Sequence, residues 1–214
     1  MVNTNIIEFA SMIEEFQEKN QKEFTAFVED TYSENILQIV LRNHLYFENS
    51  LENILKVELK NPSKTLTDRL TFFHKLGLVR ALDIIPSELY SVLDYFNKEI
   101  RNNFAHDLNF EMKEENIEKL IGPFNRDMKK FYLQCLNDIK LEIPELTKKL
   151  ISCMYTVWVS IGSYYHQHRM KPIVEEAKLL KKFKKLGKDN PSQIRFIEEL
   201  EVKLMEKFKE ITVG

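Results

Sequence analysis

Apolar residues return at three- and four-residue steps along nearly the whole chain, the spacing of one helix face. Over residues 4 to 20, Ile6, Phe9, Ile13 and Phe16 make one stripe with Thr4 as its cap, and Phe24, Phe27 and Val28 extend the apolar supply. Ser33-Glu34-Asn35 then reads as a start signal for a long helix. Ile36, Val40, Phe47, Leu51, Ile54 and Leu55 hold its register to about Lys60, and Asn61-Pro62-Ser63 ends it. The spacing predicts a third helix over residues 66 to 76, with Leu66, Leu70 and Phe73 inward, Gly77 just past its end and Leu78 as the apolar partner of that glycine. A connection through Asp83 and Pro86 leads into a fourth helix, which opens at Pro86-Ser87-Glu88 and carries the stripe Leu89, Leu93, Phe96, Ile100 and Phe104.

After His106 the run Asp107-Leu108-Asn109-Phe110 breaks the pattern, and a helix resumes over residues 113 to 121 before Gly122-Pro123. Phe124, Met128, Phe131, Cys135 and Ile139 form the next stripe. Pro144-Glu145 suits the first turn of a buried helix that holds Trp158 and ends near Lys171-Pro172. Residues 173 to 186 and 192 to 211, joined by Gly187-Lys188-Asp189-Asn190-Pro191, read as a helical hairpin, with Ile197, Leu200, Leu204, Phe208 and Ile211 repeating along the second arm. The expected fold is all-α: an N-terminal helix over residues 1–32, a helical core over 33–140, and C-terminal helices over 141–214 packed on that core.

Composition agrees, since only 5 Gly and 6 Pro punctuate the chain and no β-hairpin signal is present. A net charge of -2, from 31 basic and 33 acidic residues, gives no global attraction to nucleic acid or to an anionic membrane, so any basic footprint is local. The dense cluster is Lys178, Lys181, Lys182, Lys184, Lys185 and Lys188. Of these, Lys181, Lys182, Lys184 and Lys185 are the candidates for phosphate contacts with RNA, against the plainer reading of a solvated face near a helix C-terminus.

Cys135 and Cys153 lack metal-ligand spacing and read as free buried thiols of a reducing compartment. The N-terminus carries no secretory signal, which points to the cytoplasm. The longest uncharged run, Leu150 to His168, is interrupted by Ser152, Thr156, Ser160, Gly162 and Ser163, so its apolar part falls short of the roughly 20 residues a membrane span needs. His166 and His168, two apart on a helix, face different sides, and no HExxH or CxxC accompanies them, so neither a metal nor another cofactor is expected. His44 and His74 are expected at the surface or the edge of the core. No glycine-rich phosphate loop, nucleophile elbow or recognition helix appears.

The chemistry-bearing stretch is Arg101-Asn102-Asn103-Phe104-Ala105-His106, at the end of the fourth helix. At about 100° per residue, Arg101 falls roughly 100° to one side of the apolar stripe and His106 roughly 120° to the other. Asn102, four residues before His106, is placed to orient the imidazole. In an unbroken helix Arg101 and His106 stand about 140° apart, and they meet only if the helix ends near Ala105 or a second copy brings its own pair alongside.

This stretch resembles the signature of the HEPN superfamily of helical domains. Leu76-Gly77-Leu78-Val79 together with Ile100-Arg101-Asn102-x-Phe104-Ala105-His106 resembles in particular the branch containing the mannitol operon repressor-like proteins. The similarity covers roughly residues 36 to 110. It implies a HEPN-like helical bundle and a homodimer whose two motifs line one cleft, with Asn102 supporting the site. It also implies a metal-independent endoribonuclease of a toxin or phage-defence system, held in check by an antitoxin or other regulatory protein.

Histidine is suited to move the proton of a ribose 2′-hydroxyl or of the leaving 5′-oxygen, and arginine to hold the scissile phosphate and offset its growing charge. The competing reading is a structural helix terminus in which Arg101 pairs with Glu48, Glu52 or Asp107 while Asn102 and His106 bond to backbone. The chain is then a non-catalytic regulatory or scaffolding module.

Overall fold

The computed structural model describes residues 18, 22, 26, 27, 29–33, 35–140, 142–186 and 191–213, with backbone alone for 185, 186, 191–194 and 209–213. It is all-α: 81% of the chain is helical and no strand occurs among the described residues. The expected opening helix lies almost wholly outside the described residues. Packing divides the chain into one unit of residues 27–166 and another of residues 1–26 with 167–214.

In the first unit, helix α1 (Ile36–Glu58) starts where Asn35 caps it, the amide oxygen accepting from the Leu37 and Gln38 N–H groups at 2.9 and 3.4 Å. Its stripe of Ile39, Val40, Phe47, Leu51, Ile54 and Leu55 is fully buried. Each such side chain contributes roughly 1.5–3 kcal/mol of burial before ordering entropy is charged against it. A short helix α2 (Pro62–Thr65) follows.

Helix α3 (Phe72–Ala81) departs from the expected 66–76. It begins at Thr71, whose N–H donates to Nδ1 of His74 at 3.4 Å with the hydroxyl 3.0 Å from the same nitrogen, so His74 serves as a capping side chain. Phe72, Leu76 and Val79 face the core and Phe73 is exposed, a register one residue away from the one the apolar pattern suggested. Gly77 sits inside the helix. The stop falls at Asp83, which takes a positive φ of 52°. There Asp83 N–H reaches Arg80 O at 3.0 Å and Ile84 N–H reaches Val79 O at 3.1 Å, the paired bonds of a Schellman turn.

Helix α4 (Ser87–Tyr95) runs into a π-helical turn (Phe96–Arg101) and then into α5 (Asn102–His106). Leu89, Val92, Leu93, Phe96 and Ile100 are buried. Helix α6 (Glu114–Ile121) and helix α7 (Arg126–Asp138), the latter capped by Asn125 on Met128 N–H at 3.0 Å, follow the expected boundaries within a few residues.

Helix α8 (Glu145–Leu186) begins as expected but does not end at Pro172, which lies inside it. Leu150, Cys153, Met154, Val157 and Ile161 of its first half belong to the core of the 27–166 unit. The hydroxyls of Thr156 and Ser160 donate to the carbonyls four residues back, each at 2.7 Å, so these polar groups in the uncharged run need no partner outside the helix.

In the second unit, the later part of α8 and helix α9 (Pro191–Val213) form the hairpin. Ile173 and Phe208 are buried between them with Leu204 and Met205, and ion pairs join Lys184 to Glu201 and Lys207 to Glu176. Among the described residues no helix is long and apolar enough to cross a membrane.

Candidate functional site

The π turn decides where Arg101 points. Asn102 N–H bonds to the carbonyl of Asn97, five residues back instead of four. One extra residue in the turn carries everything after it back by roughly one residue's rotation, about 100°, relative to an unbroken α-helix. Arg101, expected about 100° off the apolar stripe, is thereby drawn back toward α1 and is half-buried, whereas His106 at the last turn of α5 is exposed. Phe104 and Phe110 meet edge to face at 4.7 Å, and Asn109 N–H bonds to Asp107 Oδ1 at 2.9 Å. These contacts fold the following loop, with Leu108 fully exposed, and leave His106 open to solvent.

Arg101 Nη1 donates to Asn102 Oδ1 at 3.1 Å, so the amide steadies the guanidinium and not the imidazole, contrary to the role expected of Asn102. The Arg101 Nε is buried and has no hydrogen-bond partner. Among the described residues no carboxylate pairs with Arg101. The acids suggested by the structural-terminus reading are engaged elsewhere: Glu48 and Glu52 both accept from Lys75 Nζ, at 3.0 and 2.8 Å, Glu52 also pairs with Lys56 at 2.8 Å, and Asp107 caps its own loop. An uncompensated, partly desolvated guanidinium with donors to spare is an anion-binding group. No hydrogen bond joins His106 to Arg101 or Asn102 among the described residues, so within one chain the motif supplies an arginine–amide pair and a separate, solvent-facing histidine.

A further residue belongs to this cluster. His44 of α1 is buried, not placed at the surface or the edge of the core as expected, and its Nε2 lies 3.3 Å from Asn97 Oδ1. Phe72 and Phe96 flank the ring at 4.7 and 6.4 Å. Burial, and after it the Arg101 charge, hold the imidazole below its ordinary pKa of 6.5, opposed in part by the Asn97 bond and by Glu48. Burial thus favours the neutral imidazole, and in the tautomer that carries its proton on Nε2 the ring donates to the Asn97 oxygen. The signal was present in the sequence: Val40, His44, Phe47 and Leu51 follow one another at steps of four, three and four, which puts His44 on the apolar stripe of α1.

The lysine candidates lie in the other unit. Lys181, Lys182 and Lys184 are exposed, and Lys184 is committed to Glu201; the Lys185 side chain and Lys188 fall outside the described residues. Cys153 is buried and Cys135 half-buried, both free, and burial pushes the Cys135 thiol up to about 11 and that of Cys153 higher still, so neither is a nucleophile. Among the described residues no group of three or more His, Cys, Asp or Glu is arranged to hold a metal ion. No family model, no curated protein and no solved structure matches the chain.

Proposed function

We propose that the protein is a HEPN-type, metal-independent endoribonuclease of a toxin or phage-defence system, acting in the cytoplasm as a homodimer through Arg101, Asn102 and His106. The observation that carries this reading is the guanidinium of Arg101, which pairs with no carboxylate among the described residues and keeps a buried Nε without a partner, five residues before an exposed histidine.

Arg101 holds the non-bridging oxygens of a phosphodiester, with Asn102 fixing the fork. His106 takes the proton of the 2′-hydroxyl as that oxygen attacks phosphorus. The P–O5′ bond breaks, the partner subunit's His106 returns a proton to the leaving oxygen, and the products are a 2′,3′-cyclic phosphate and a 5′-hydroxyl. Pairing of two chains answers the absence of a bond between Arg101 and His106 in one chain. A regulatory protein or antitoxin restrains the activity.

The test is incubation of the purified wild type, Arg101→Ala and His106→Ala with a labelled single-stranded RNA in the presence of a chelator, alongside growth and RNA integrity in expressing cells. Each substitution is expected to lower the cleavage rate by roughly 100-fold or more. Intact RNA with the wild type, its activating partner supplied, refutes the enzyme and leaves the regulatory module; cleavage unchanged in both variants refutes the site.

A further inference from the structure

We propose that His44, supplied by a different helix, is a positioning residue of this site: its bond to Asn97 holds the widened turn that aims Arg101. Asn97 joins the two because it is bonded twice. Its backbone carbonyl accepts the five-residue bond from Asn102 N–H that defines the π turn, and its side-chain oxygen lies 3.3 Å from His44 Nε2. Both side chains are buried, each 8% exposed, so water competes poorly for the bond. Phe72 of α3 and Phe96 of the turn itself pack near the imidazole, ring centroids 4.7 and 6.4 Å away, and limit its movement.

A π turn in an otherwise α-helical run is less favourable than its α alternative and persists where outside contacts hold it. His44 supplies a polar contact of this kind to Asn97, alongside the packing of Phe47 on Phe96 with ring centroids 5.2 Å apart. Losing that polar contact lets the turn relax, and relaxation rotates Arg101 away from α1 by up to one residue's step while leaving Asn102 and His106 as its chain neighbours. The aim of the arginine is thus set from α1, by a histidine 53 residues before Asn97 in sequence.

The inference takes Arg101 as the anion-holding group and so rests on the reading above, but its first test does not need RNA. In the ligand-free full chain, solvent exchange of the Arg101 Nε–H is followed by NMR in wild type, His44→Leu, His44→Gln and Asn97→Ala. Leucine keeps the apolar packing between the two phenylalanines and removes the donor, whereas glutamine restores a donor to Asn97. The expected result is at least tenfold faster exchange in His44→Leu and Asn97→Ala, with His44→Gln near wild type. RNA cleavage is expected to fall tenfold or more in the same two variants and to recover in His44→Gln.

Unchanged exchange in a folded His44→Leu chain overturns the proposal, as does a His44→Gln chain that behaves like His44→Leu. If His44→Leu does not fold, Asn97→Ala decides from the other end of the bond. Wild type that cuts no RNA removes the ribonuclease reading alone, because the exchange comparison still reports whether His44 positions Arg101.

Discussion

Lys75→Met is the substitution that most directly probes the charge network between α3 and α1. Lys75 projects from α3 onto α1 with its side chain only 9% exposed, between Glu48 and Glu52, which are 24% and 30% exposed. The two acids are four residues apart and share one face of α1. Burial alone depresses the Lys75 ammonium, but the hydrogen bonds it donates to Glu52 and Glu48 outweigh that and hold the group above its ordinary range.

Methionine keeps most of the stem volume and deletes the charge. Glu52 retains Lys56, and Glu48 is left without a cation. Breaking a fully buried pair costs about 3–5 kcal/mol, and the partial exposure of both carboxylates scales this to about 2 kcal/mol. For a unit of this size that is a drop of roughly 4–8 °C in melting temperature, read by circular dichroism at neutral pH.

The deficit depends on pH with a definite sign. In the wild type, hydrogen bonds from Lys56 and then Lys75 hold the Glu52 carboxyl below its ordinary 4.5 against the effect of burial. The stability this brings is complete above 4.5 and drains as pH falls through the lowered folded value. Lys75→Met lacks the lysine's share from the outset, so its melt converges on the wild type's only as pH falls below the lowered folded value of Glu52. Glu48→Gln added to Lys75→Met recovers at least half the loss. A melting temperature within about 1 °C of wild type at neutral pH, or a deficit that persists unchanged in acid, refutes the reasoning.

Four further outcomes follow from the same structure. Asp83→Gly relieves a positive φ of 52° and raises stability by about 1 kcal/mol, read as a higher denaturant midpoint at an unchanged slope. His44 is lowered in the fold, facing Arg101 from the π turn and Glu48 from its own helix, so its stability contribution is full above 6.5 and lost as pH falls below it. The denaturant midpoint of wild type therefore declines across that range more than that of His44→Leu. Phe47→Ala empties a fully buried site beside Phe96, ring centroids 5.2 Å apart, and costs about 3–5 kcal/mol in equilibrium unfolding. Leu108→Ser, at a fully exposed position, changes stability by less than about 0.5 kcal/mol.

Helices whose ends are set by local chemistry were legible. Asn35 caps α1 with its own side chain, and Pro144-Glu145 opens α8 as the first-turn preference suggests. Where two neighbouring apolar residues competed, the pattern misled. Phe72 and Phe73 give α3 two registers of equal apolar content, and only the position of α1 chooses the one with Phe72, Leu76 and Val79 inward. Gly77 looked like a stop because glycine so often is one, yet an aspartate in the left-handed region made the turn instead. Pro172 looked like an end and is carried inside α8.

By itself the sequence determined that the chain is all-helical, which residues line most stripes, and that an arginine, an amide and a histidine fall at the end of one helix. Those follow from periodicity and capping, which act over a handful of residues. Tertiary structure alone decided that the motif helix widens at Phe96–Arg101, that Arg101 turns back toward α1 while His106 stays outside, and that Glu48 and Glu52 go to Lys75 and leave the arginine with no carboxylate partner among the described residues. The reason is that a helix's own hydrogen bonds favour the tighter turn. Only groups brought from far along the chain, His44 against Asn97 and Lys75 against two glutamates, supply the interactions that select otherwise.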